Sequence, residues 1–114
     1  MFTAVRGSDL TIGAGRTVKF EGQAYGSGVS FFLVDNQPGQ GPDLHQHPYS
    51  ETWVVLEGEV TVTADGEDHR AGVGDILVVG PRTPHRFRAE GSGTLRMMCI
   101  HASPHIEQEF LDGE

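Results

Sequence analysis

Short apolar runs punctuated by glycine, proline and acidic residues make up most of the chain, and they are too brief and too β-branched for helices. TVKF (17–20), VSFFLV (29–34), ETWVVL (51–56), EVTVTA (59–64), DILVV (75–79), HRFRA (85–89) and LRMMCIH (95–101) read as strands. Val, Thr, Ile and Phe fit a pleated, half-buried surface. Glu57-Gly58 and Asp65-Gly66 mark turns in which glycine supplies a positive φ. A strand about every ten residues predicts an all-β sandwich or barrel. Only the tail has helical spacing. Ser103 is placed to cap, Pro104 suits the first helical position, and Ile106, Phe110 and Leu111 share a face, so a short helix is expected over about 104–112.

Two strands lack a polar face. TWVVL (52–56) and MMCI (97–100) are apolar on both sides, whereas a barrel buries only its inner side. The tail helix is too short to cover the remainder, so a homodimer with strands packed across the interface is expected.

Composition narrows the partners. The 114 residues suit one domain, 1–114, with the barrel core over about 29–101. Eight basic residues against sixteen acidic ones, a net charge of −8, argue against a phosphate backbone as ligand. No helix-turn-helix pattern is present either, which counts against the sensor domain of a transcription regulator. No apolar run reaches bilayer length and the N-terminus lacks a signal-peptide layout, so no membrane association and a cytoplasmic location are expected. The one cysteine, Cys99, excludes an internal disulfide. It lies in an apolar strand with no basic neighbour and reads as core, not as a nucleophile.

The chemistry concentrates between Gly39 and Gly58. Side chains alternate along an extended strand, so His45 and His47 point to one face and set two imidazoles side by side. Glu51 follows at another even offset, and His85 opens a later strand. Neutral imidazoles with an ionised carboxylate suit one divalent transition metal: iron, manganese, zinc, nickel or copper. A bare His-x-His-x3-Glu arises by chance in such a chain at roughly 2%, and with Gly39 and Gly58 also in place at roughly 0.05%.

These residues resemble the cupin superfamily. Its first motif, G-x5-H-x-H-x3-E-x6-G, is met in full from Gly39 through His45, His47 and Glu51 to Gly58. Of the second, G-x5-P-x-G-x2-H-x3-N, Gly74 and His85 keep their spacing. Gly80 stands at the proline position, with Pro81 next, Arg82 at the usual glycine and Ala89 at the final Asn. The short separation between motifs is like that of small single-domain bacterial cupins. The resemblance implies a double-stranded β-helix, or jelly-roll barrel, with the metal inside on His45, His47, Glu51 and His85.

Alternation also nominates a pocket. With Glu51 inward, Trp53 and Val55 follow; with His85 inward, Phe87 follows and Arg86 and Arg88 face out. Trp53 and Phe87 read either as pocket wall or as plain core. Arg82 pairs with an anionic substrate at the rim or with a surface acid, and Tyr49 orients a ligand or covers the rim. His101 makes a hydrogen bond behind the ligands or is a structural histidine. His69 and His105 are assigned to the surface. No residue stands out as catalytic. Four protein ligands leave up to two positions on a six-coordinate ion, which favours a metal-dependent enzyme on a small organic molecule, dioxygenase chemistry first. Redox-neutral isomerisation, decarboxylation or cyclisation, and non-catalytic binding of a metal or small ligand, are the alternatives.

Overall fold

Strands dominate, as the apolar runs require, in the computed structural model, which describes residues 1–111. Ten strands form in order: β1 (Val18–Glu21), β2 (Ser30–Asn36), β3 (His45–Gln46), β4 (Glu51–Glu57), β5 (Glu59–Ala64), β6 (Glu67–Gly72), β7 (Ile76–Val79), β8 (His85–Glu90), β9 (Leu95–His101) and β10 (Glu109–Phe110). One antiparallel sheet runs β1-β2-β9-β4-β7 and the other β10-β3-β8-β5-β6. Together they make a jelly-roll barrel, all-β as the strand spacing predicts and of the form the family resemblance implies.

The core lies between the two sheets. Along β4 and β9 every second residue is buried, so Trp53, Val55, Leu95, Met97 and Cys99 point inward with Val60, Val62 and Phe87 from the facing sheet. Each large side chain so buried contributes about 1.5–3 kcal/mol. Both turn sites adopt positive φ. Asp65 (φ 53°) and Gly66 (φ 77°) close the two-residue hairpin between β5 and β6. Gly58 (φ 85°) carries the chain from one sheet to the other, and a Cβ there would overlap the Thr94 carbonyl oxygen.

Three strands escape the sequence pattern. β6 (EDHRAG) is mostly exposed and polar, an edge strand held by its register with β5 rather than by an apolar face. β3 and β10 are two residues each and pair with one another. β10 also corrects the tail. No helix forms over 104–111, and Asp112 lies outside the described residues. The tail spends its backbone on neighbours instead. Pro104 O accepts from Gln23 N at 2.7 Å, Ile106 N donates to Glu21 Oε2 at 2.9 Å, and Leu111 N donates to Leu44 O at 3.0 Å. A helix this short is marginal alone, so these tertiary partners win. Among the described residues no helix is long and apolar enough to cross a membrane.

Candidate metal centre

Two cross-strand pairs build the centre. In one sheet Glu51 of β4 sits directly opposite His101 of β9, and in the other His45 of β3 sits opposite His85 of β8. Directly opposed residues share a face, and both faces look inward. His47, just past β3, completes the group. One donor atom from each of His45, His47, Glu51 and His85 lies within 4.8 Å of all the others, and all four side chains are buried.

The donor chemistry tests whether a metal fits. His45 Nδ1 lies 2.7 Å from Asp43 O, His47 Nδ1 2.8 Å from Glu107 O, and His85 Nδ1 2.7 Å from Thr83 O. A carbonyl only accepts, so each Nδ1 carries the hydrogen and each neutral ring turns an Nε2 lone pair inward. His47 Nε2 approaches Glu51 Oε1 at 3.0 Å and His85 Nε2 approaches it at 3.3 Å. Yet these buried atoms have no aligned hydrogen-bond partner among the described residues. Lone pairs facing one another at such distances repel unless a cation, a proton or a metal ion, lies among them. Three imidazoles and a carboxylate with backbone-locked tautomers fit a divalent transition metal.

Electrostatics follow the same geometry. Burial, then the neighbouring His85 and His47, lower His45 to about 4. For His47 burial opposes protonation, but Glu51 and the Glu107 carbonyl outweigh it and raise the ring above its ordinary 6.5. Burial likewise works against the Glu51 charge, and His101, His47 and His85 overcome it, holding the carboxyl well below the usual range.

A second layer lies behind the ligands. His101 is fully buried, with Nε2 3.2 Å from Glu51 Oε2. Its Nδ1 lies 2.7 Å from the Tyr49 hydroxyl, which also accepts from Glu107 N at 2.9 Å. Tyr49 stacks on His47 at 5.3 Å between ring centroids, 8° from parallel. Both residues therefore contact members of the cluster, and neither lines the adjoining cavity. Glu107 was invisible to sequence reasoning because it acts through its backbone.

A cavity of about 900 Å³ opens onto the centre at His45 and Glu51. Phe32, Val34, Phe87 and Cys99 line it, with the chain around residues 12–15 and 36–42 and Gln108. Of the five pocket candidates only Phe87 lines this cavity. Trp53 is fully buried against Phe87 and His85, Tyr49 and His101 sit behind the ligands, and Arg82 is exposed on the loop before His85. Phe32 shares a strand face with Ser30 and Val34, a signal present in VSFFLV. The contribution of residues 12–15 had none. His69 and His105 are half-exposed beside Glu67 and Glu107. Burial raises the Cys99 thiol well above its ordinary value, in keeping with an inert core position.

The fold and the centre together define a class: a jelly-roll barrel built to hold one divalent metal between its sheets. Residues 32–101 match the family model described as Cupin domain, and the chain belongs to the cupin family. It is 42% identical over 75 residues to the polyketide synthase CurC of Streptomyces cyaneus, covering 63% of this chain and 47% of that protein. It is 33% identical over 67 residues to quercetin 2,3-dioxygenase of Bacillus subtilis, covering 56% of this chain and 20% of that one. The chain thus spans half or less of the length of these two relatives. In fold it is similar to the oxalate decarboxylase of Lactobacillus farciminis solved with formate, with TM-score 0.77, 23% identity, and coverage of 90% of this chain and 34% of that one.

Proposed function

We propose that the chain is a metal-dependent enzyme of the dioxygenase type, acting on a small organic substrate held in the cavity beside His45 and Glu51. The supporting observation is the convergence of inward lone pairs from His47 and His85 with Oε1 of Glu51, a residue that also lines that cavity. His45, His47, Glu51 and His85 are the ligands in this reading. A divalent metal there would supply Lewis acidity and, as iron(II), reactivity towards dioxygen. Phe32 and Phe87 exclude water from the reacting end, while His101 and Tyr49 hold Glu51 and His47 in place. The likeness to quercetin 2,3-dioxygenase supports the choice of oxygen chemistry.

Redox-neutral cyclisation is the second reading, favoured by the 42% identity to the polyketide synthase CurC. Elemental analysis of the purified protein is expected to find a transition metal that His45→Ala abolishes. Oxygen uptake by the iron(II) form, across hydroxyketones, catechols and thiols, then separates the readings. Uptake with at least one compound is expected, and none anywhere moves the assignment to redox-neutral chemistry. The proposed working form is a homodimer, because Ile76 and Val78 on edge strand β7 are about two-thirds exposed in the single chain.

A further inference from the structure

The charges around the cavity select its ligand. Of the described residues that line it, the charged ones are Asp35, Glu51 and Arg88. Arg88 is already engaged: its guanidinium donates to Pro42 O at 2.6 Å, to Phe87 O at 2.9 Å and to Asp43 Oδ1 at 3.2 Å. Asp35 is held by Arg16 at 2.8 Å and Arg96 at 3.3 Å. No uncommitted cation on this lining faces a ligand, so the sole positive charge offered to one is the ion at the centre. A chelating dicarboxylate brings two negative charges to an ion already partly neutralised by Glu51, and the excess charge lies against Phe32, Val34, Phe87 and Cys99. An unpaired charge in such a wall is strongly disfavoured.

Size points the same way. About 900 Å³ is near the upper end for small-molecule sites, and a two-carbon diacid would leave most of it to water. The walls reward an apolar ring, and Phe32 and Phe87 stand on opposite sheets, one from β2 and one from β8. Asn36, Gln40 and Gln108 give the lining neutral amides that match hydroxyl or carbonyl groups.

We propose that the cavity takes an uncharged, ring-bearing molecule that chelates through two adjacent oxygens, a hydroxyketone or catechol, and discriminates against small dicarboxylates. This rests on the metal-site reading above. The test is calorimetric titration of the zinc-loaded protein, which does not turn over, with 3-hydroxyflavone and catechol on one side and oxalate and malonate on the other. The ring compounds are expected to bind at least tenfold tighter, and 3-hydroxyflavone is expected to keep measurable affinity for the metal-free protein. Phe32→Leu is expected to lower hydroxyflavone affinity several-fold and to leave that for oxalate alone. Oxalate binding as tightly as the rings, or Phe32→Leu without effect on them, overturns the ligand class. Ring binding without oxygen uptake by the iron(II) form supports the ligand class and overturns only the dioxygenase reading. Uptake with a dicarboxylate and none with the rings does the reverse.

Discussion

Single side chains set the affinity of the centre. Tyr49→Phe removes the hydroxyl that meets His101 Nδ1 and Glu107 N, and His101→Ala removes the imidazole 3.2 Å from Glu51 Oε2. Each is expected to weaken zinc binding by about 10-fold or more, as loss of outer partners does elsewhere. Chelator competition on the folded variants measures this, and parental affinity in both would remove them from any supporting role. Protonation acts on the same atoms. Metal binding needs neutral imidazoles; His47 titrates above 6.5 and His45 near 4. Affinity should therefore hold at alkaline pH and fall with a slope of about one proton as pH drops through the raised His47 value. A flat profile from pH 8 to pH 5.5 would contradict it. Arg82 is a different case. It holds φ 58° where the family motif has glycine, and its N donates to His47 O at 2.7 Å. Arg82→Gly keeps that hydrogen bond and relieves the left-handed strain, so a gain of about 0.5–1 kcal/mol in denaturant unfolding is expected.

At the scale of elements, the motif glycines are turn and packing devices rather than chemistry. Gly39 (φ 84°) has open space around it, while Gly58 has both a positive φ and the Thr94 backbone against it. Gly39→Ala should cost about 1–2 kcal/mol from backbone strain alone, and Gly58→Ala distinctly more. Thermal denaturation that ranked them the other way would reject this account. Gly41 falls at a variable position inside the motif, yet a Cβ there would overlap the Phe87 carbonyl oxygen. Nothing local to its sequence says so. The tail is the clearest reversal. Its amphipathic spacing pointed to a helix, yet Glu107 O holds His47 and β10 pairs with β3 beside His45. A local pattern of eight residues competes poorly with partners already fixed by the barrel.

At the scale of the whole molecule, exposed apolar side chains bear on assembly. Ile76 and Val78 of β7, Leu56 of β4 and Val73, between β6 and β7, are each 49–69% exposed in the single chain. Light scattering is expected to give twice the 12.3 kDa chain mass at micromolar concentration, and Val78→Glu to return it to the monomer. A parental monomer at that concentration sinks the dimer.

Seven of the strands, the all-β class and the shared face of His45 and His47 were legible in the sequence because each follows from short-range periodicity. Alternation put His45 beside His47 and Trp53 behind Glu51, and β5 and β9 match their apolar runs residue for residue. What closes the site is not periodic. The pairing of Glu51 with His101, the use of Glu107 through its carbonyl, and the approach of residues 12–15 to the cavity depend on strand order and register. Those are long-range choices made by packing the two sheets, and only the tertiary structure decided them. It also decided which nominated side chains meet the cavity. Phe87 does, while Tyr49 and His101 lie against His47 and Glu51 instead.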